Sequence, residues 1–372
     1  MRGTKNRGTT RRVRAALSAA VAVCAVTAAL PAVASARPTA VAGTSGAGVE
    51  LISLATDGTQ ADGDSDGASI TADGRRVAFL SLATNLGGSS SSGTHKQVYV
   101  RDRRTSQTAP MSSITSAIRP PVISGDGQYA AHWGQLLRDT KVFLSQVGTG
   151  RTIGINCSGL SCGQPSLSAD GRYIANVATH GRPATRQTVE VADWQANTTE
   201  LVAEFFHTSP ARPSISADGE YVAYQDGAAQ DVWLWNRTDG TTSDPIEGPA
   251  TAATLVQLSQ DGRKVVYLAG SDTHVYDVAS DTDQLVPDVR GVAIDPTGTY
   301  LLYAPSGTSG PSPLTLRDLR TGTDEVVSAQ PATAETGSVT AGGRDVVFQS
   351  TADDIVPGDT NGRSDAFVRS LY

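Results

Sequence analysis

Apolar residues come in short runs separated by polar turns, such as "YVAY" at 221–224, "KVVYL" at 264–268 and "YLLYA" at 300–304. They do not recur at the three- and four-residue spacing of an amphipathic helix, so the pattern predicts strands and no helices. Each run follows a polar turn. The turns are Asp73-Gly74, Asp126-Gly127, Asp170-Gly171, Asp218-Gly219 and Asp261-Gly262, with two degenerate copies at Thr297-Gly298 and Gly342-Gly343. Asp-Gly suits a tight hairpin because both residues tolerate positive φ. A further run comes after each copy: "QVYVRD" (97–102), "KVFLS" (141–145), "DVWLWN" (231–236), "HVYDV" (274–278) and "DAFVRS" (365–370). A weaker fourth often follows, as in "TELVA" (199–203) and "DEVVS" (324–328).

Seven copies at intervals of 36 to 53 residues predict an all-β fold, a seven-bladed β-propeller of four-stranded antiparallel blades. "VELISLA" (49–55) precedes the first hairpin as an orphan outer strand, whereas the last unit runs out after its third strand, "DAFVRS". The expectation is ring closure by the N-terminal strand pairing into the last blade, which removes an exposed edge. An open sandwich accounts for neither the spacing nor the complementary ends.

The start of the chain reads differently. Arg2, Lys5, Arg7, Arg11, Arg12 and Arg14 precede the apolar "AALSAAVAVCAVTAAL", then Pro31 and "ASA" at 34–36. This is the pattern of a secretory signal peptide over residues 1–36, and the run is short for a membrane span. Residues 37–48 read as a flexible linker, 49–372 as the propeller, and "GGSSSSG" (87–93) as a mobile loop. The chain is then secreted, with no membrane span after signal cleavage. Losing six positive groups takes the formal net charge from −7 to −13. That surface repels phosphate backbones and argues against nucleic acid as a partner. A monomer is expected. Outside the cell, Cys157 and Cys162 in "NCSGLSCG" are expected to form a disulfide, since a zinc site needs more ligands than the segment offers.

The units "SxSADGxYVA", here with Ser216-Ala217-Asp218-Gly219, and Asp359-Thr360-Asn361-Gly362 followed by Asp365-Ala366-Phe367-Val368-Arg369, resemble the TolB-type, WD-like propeller repeat of exported bacterial proteins. The resemblance covers nearly the whole chain beyond the leader and implies the propeller fold. TolB-type relatives carry a small α/β domain before the ring or a hydrolase domain fused to it. The sequence shows neither pattern, so a stand-alone ring is expected.

Candidate chemistry is sparse. "GDSDG" (63–67) matches G-x-S-x-G but is followed by a strand, not the helix a nucleophile elbow requires. His95, His132, His180, His207 and His274 share no metal-ligand spacing, and Trp133, Trp194, Trp233 and Trp235 read as packing between blades. No catalytic residue is assigned. Asp62, Asp64 and Asp66 with Gly67 reproduce the opening of a calcium loop, and Asp359, Asn361 and Asp365 form a second acidic turn. Blade topology puts both at one end of the ring on adjacent blades. They are either a calcium site, calcium then being the cofactor, or a pair of solvated polar turns.

The expected function is a non-catalytic binding or scaffolding module for a protein, a peptide or a cell-wall polysaccharide. The alternative is a carbohydrate-active enzyme, a polysaccharide lyase or glycosidase whose acids converge on the central funnel. Charged residues from several blades at one funnel mouth would favour the enzyme. A lining of small hydroxylic residues would favour binding. The innermost strands, "SIT", "VIS", "SLS", "SIS" and "QLS", are hydroxylic and so favour binding.

Overall fold

The computed structural model describes residues 48–88, 94–111, 117–248 and 251–372. The expected signal peptide, all but the last residue of the linker, and most of the 87–93 loop lie outside the described residues.

Strand β1 (Gly48–Leu51) belongs to the last blade. Blade 1 is β2 (Ser65–Ile70), β3 (Arg76–Ser81), β4 (Gln97–Asp102) and β5 (Gln107–Pro110). Blade 2 is β6 (Val122–Ile123), β7 (Tyr129–Leu136), β8 (Asp139–Gln146) and β9 (Thr152–Ile155). A short extra strand β10 (Ser161–Cys162) joins blade 3, whose other strands are β11 (Ser166–Leu167), β12 (Tyr173–His180), β13 (Arg186–Asp193) and β14 (Thr198–Phe206). Blade 4 is β15 (Ser214–Ile215), β16 (Tyr221–Gln225), β17 (Val232–Asn236) and β18 (Thr241–Thr242). Blade 5 is β19 (Thr254–Leu258), β20 (Lys264–Ala269), β21 (Asp272–Asp277) and β22 (Thr282–Val286). Blade 6 is β23 (Val289–Ile294), β24 (Tyr300–Pro305), β25 (Ser312–Asp318) and β26 (Asp324–Ala332). Blade 7 holds β27 (Asp345–Ser350), β28 (Asp365–Ser370) and β1, and its innermost segment is fixed by the bridges Thr333–Gln349 and Val339–Val346.

Closure follows the sequence expectation. β1 lies antiparallel to β28, with Gly48 opposite Ser370 and Leu51 opposite Phe367. Every pairing between strands is antiparallel, and the one helical segment among the described residues is a 3-10 turn at Ala341–Gly343. No helix there is long and apolar enough to cross a membrane.

The repeated turn does more than reverse the chain. Only its glycine takes positive φ; the aspartate keeps negative φ and acts as an acceptor. In blade 4 the Ser216 hydroxyl donates to Asp218 Oδ1 at 2.5 Å and accepts the Tyr221 N–H at 2.9 Å, while the Glu220 N–H reaches the same carboxylate at 2.9 Å. Thr71, Ser124, Ser168 and Ser259 repeat the arrangement. The turn therefore depends on a Ser/Thr-x-Asp-Gly unit, not on the two-residue hairpin that the sequence suggested.

Blades pack through apolar faces. Ala175, Val177, Val189 and Val191 of blade 3 meet Ile215, Val222, Tyr224 and Trp235 of blade 4, and similar clusters fill the other interfaces. Trp194, Trp233 and Trp235 sit in this packing, and two tryptophans hydrogen-bond to backbone carbonyls. Trp133 Nε1 donates to Cys162 O at 2.5 Å and Trp194 Nε1 to Gly171 O at 2.9 Å.

Candidate functional site

The inner-strand hydroxyls do not line a funnel. Ser69, Thr71, Ser124, Ser168, Ser216 and Ser259 are buried. The later hydroxyl in each unit closes the turn. The earlier one ties one blade to the next: Ser69 Oγ accepts the Ile123 N–H, Ser166 Oγ that of Ile215 and Ser214 Oγ that of Leu258. Their small size serves packing near the axis, so the preference for binding that rested on them lapses.

Charged residues occupy the start of the inner strands instead. Asp66, Arg119 and Glu335 stand five positions before the turn-closing hydroxyls Thr71, Ser124 and Thr340; Arg290 stands five before Asp295, and Arg212 four before Ser216. In an antiparallel blade that position is the end where the inter-blade links arrive, opposite the Asp-Gly turns. Arg212 is the centre of the group. From blade 4 its Nε donates to Pro165 O in the link to blade 3 at 3.0 Å, and its Nη1 crosses to Thr336 Oγ1 of blade 7 at 2.7 Å. Burial lowers the guanidinium to about 10, and the neighbouring Glu335 opposes that shift. Burial also pushes the Glu335 carboxyl up; Asp66 adds to the push, and Arg212 and Arg119 offset part of it. Asp66 forms an ion pair with Lys96. The Nε of Arg290 is buried without an acceptor.

This mouth therefore brings together acids and bases from blades 1, 2, 4 and 7, two of them with shifted pKa values. Aligning the repeats on the turn hydroxyl would have exposed the shared position. No linear motif carries it, because each blade contributes one residue.

The two acidic turns meet at the same end, as the blade topology requires. Asn361 Nδ2 donates to Ala61 O at 3.0 Å, and Asp64 Oδ1 accepts the Ser364 N–H at 3.1 Å. Their carboxylates do not share one focus. Asp62 takes the Thr84 N–H at 2.6 Å as well as the Thr84 hydroxyl, and Asp66 faces Lys96. Asp359 and Asp365 do come together: Gln60 Nε2 donates to Asp359 Oδ1 at 2.7 Å and to Asp365 Oδ2 at 3.3 Å, and Ser53 donates to Asp365 Oδ1. Both are buried, the second Asp359 oxygen has no partner, and desolvation raises Asp365 to about 6. The donors aimed at this pair are the amide N–H of Gln60 and the hydroxyl of Ser53. Among the described residues no three His, Cys, Asp or Glu side chains converge as metal ligands.

Cys157 and Cys162 are disulfide-bonded. At the opposite, turn-bearing end an open cleft of about 420 Å³ lies between blades 5 and 6, among Asp261, Lys264, Asp277, Thr297 and Arg320. Lys264 and Asp277 already pair there at 2.6 Å, so the cleft is largely neutralised.

Residues 134–301, from β7 to β24, match the family model of the lipoprotein LpqB beta-propeller domain. No curated protein matches the chain in sequence. Among solved structures, an oligogalacturonate lyase in complex with manganese superposes with a TM-score of 0.64 at 12% identity, covering 87% of this chain and 93% of that one. An oligogalacturonate lyase from Vibrio parahaemolyticus gives 0.63 at 12% identity, covering 87% and 97%. TolB from Acinetobacter baumannii gives 0.48 at 14% identity, covering 72% and 64%. The two lyase likenesses concern the fold alone, a seven-bladed β-propeller. The manganese bound by the first of them finds no converging His/Cys/Asp/Glu set in the described part of this chain.

Proposed function

We propose that the propeller is an extracytoplasmic binding module that takes an acidic polysaccharide at the mouth where the inter-blade links arrive. The observation that carries this reading is Arg212. A half-buried guanidinium bridges blade 4 and blade 7 beside a carboxyl pushed toward its neutral form. A planar guanidinium is the side chain best suited to grip a carboxylate in two places. Burial that disfavours the charged form of Glu335 lessens its repulsion of an incoming anion. The rest of the chain is acidic, so attraction of an anion has to be local, and this mouth supplies Arg119 and Arg212 beside Glu335. Oligogalacturonate is the natural first ligand, because proteins of the same fold act on it.

The shifted acid and base favour one second reading, cleavage of the same chain by proton abstraction beside the carboxylate. One experiment separates the two. Calorimetric titration with oligogalacturonate and with a neutral glucan of equal length is followed by ultraviolet detection of unsaturated sugar ends. Binding of the acidic chain alone, weakened roughly tenfold or more in Arg212→Gln, is expected for the loss of a charge-assisted pair. Equal affinity for the neutral chain, or an unaffected Arg212→Gln, sinks the proposal. Appearance of unsaturated ends moves it to the lyase.

A further inference from the structure

The tip of blade 2 spends backbone strain on an exposed apolar side chain. β7 and β8 are joined by the two-residue turn Leu137-Arg138, with Leu136 opposite Asp139. Leu137 has φ 58° and is 91% exposed. A turn with positive φ at its first residue calls for glycine there. The ring contains its own control: in blade 5 the hairpin between β20 and β21 has the same length, Ala269 lies opposite Asp272, and the equivalent position is Gly270 with φ 61°. Leucine in that conformation costs stability and, at 91% exposure, recovers little by packing. Strain of this sort, held at a surface tip, points to a contact outside the chain.

The surroundings tell what kind of contact. Leu136 is 44% exposed, Ile118 41% and Leu160 48%. Ile118 is hydrogen-bonded to Trp133 of β7, and Leu160 adjoins Ser161, whose hydroxyl donates to Asp139. Arg138 and Lys141 on the same hairpin form no ion pair among the described residues. The hairpin's one acid, Asp139, is held by Arg182 and Ser161. An aliphatic tip flanked by two cations, Arg138 and Lys141, on a chain otherwise acidic, matches the interfacial zone of an anionic bilayer: side chains enter the acyl boundary and cations meet the headgroups.

We propose that the blade 2 tip, Leu136-Leu137 with Ile118 and Leu160 beside it, is a peripheral docking point for an anionic lipid surface. It lies at the same end as the charged mouth, so docking would hold that mouth toward the envelope surface. The inference does not depend on what the mouth binds.

Flotation of the purified chain with vesicles of phosphatidylcholine plus phosphatidylglycerol, and with phosphatidylcholine alone, tests it. All variants keep the same N-terminus, so any contribution from the apolar leader cancels. Wild type is expected to float with the anionic vesicles and to be released by salt. Leu137→Gly is expected to bind roughly tenfold or more weakly, the loss of one inserted leucine, while its urea midpoint stays equal or rises because glycine fits the turn. Arg138→Glu with Lys141→Glu is expected to cost on the order of tenfold or more as well. Flotation of Leu137→Gly equal to wild type, or equal binding of wild type to both vesicle types, overturns the proposal. So does lipid-free self-association that Leu137→Gly abolishes, since the tip then belongs to a second copy.

Discussion

Gly219→Ala measures how the blades are keyed together. Gly219 has φ 74°, and a Cβ there would lie 2.4 Å from Cδ2 and 2.7 Å from Cγ of Tyr173 in the preceding blade. That ring cannot simply swing away. The Arg237 guanidinium lies 4.1 Å from its centroid, and Arg237 is fastened to Glu200 at 2.6 Å. Two costs therefore combine. The left-handed conformation costs alanine about 1–2 kcal/mol. Overpacking against the held ring costs about 1–3 kcal/mol more. A total of about 2–5 kcal/mol is expected in urea unfolding followed by circular dichroism. Gly240→Ala supplies the reference: φ is 70° and nothing lies within 4 Å of its added Cβ, so only the conformational cost applies. In a Tyr173→Ala background the Gly219→Ala cost is expected to fall to the Gly240→Ala value. If Gly219→Ala and Gly240→Ala cost the same in the wild-type background, the keying argument is refuted.

Two further outcomes test the closure and the link between blades 2 and 3. Asp365 is raised to about 6, so the folded chain binds a proton that the unfolded chain releases above its ordinary value, 3.8; its stabilising contribution is full below that and is lost as pH climbs toward 6. His132, lowered to about 4 by burial, acts in the opposite sense: its contribution is present above the ordinary histidine value and lost as pH falls. The two nearly cancel in wild type, and Asp365→Asn is expected to gain roughly 1–3 kcal/mol on wild type between pH 4 and 7; a constant difference across that range in paired urea titrations rejects the assignment. Reduction of the Cys157–Cys162 disulfide, which closes a loop of sequence separation 5, is expected to cost about 2 kcal/mol by the same assay, and no change would mean that β10 pairing alone holds the loop.

The sequence carried the ring because its determinants are local and repeated. Asp218-Gly219 and its copies act within five residues, and the orphan "VELISLA" has an obvious vacancy to fill at Asp365–Ser370. It carried the adjacency of the Asp62 and Asp359 turns for the same reason, since strand alternation alone fixes which end each connection occupies. It misled where one residue type serves two ends. Ser69 and Ser216 read as a polar lining but are buried fasteners. It was silent where contacts cross the axis: Arg212 and Thr336 are 124 positions apart, and no short pattern joins them. Leu137 was unreadable for another reason, as its meaning lies in a backbone angle and in the contrast with Gly270.

The clasp made by β1 and β28 has a consequence for biogenesis. Gly48–Leu51 emerges among the earliest folded residues and its mate Phe367–Ser370 among the latest, so a chain being threaded or synthesised in order travels with its seventh wedge half built. During that interval β1 has no partner strand, and any short extended peptide resembling "FVRS" is a substitute for the native clasp. The geometry that makes the finished ring edgeless thus makes the nascent one receptive, and whatever escorts the chain has to shield the gap until both ends are present.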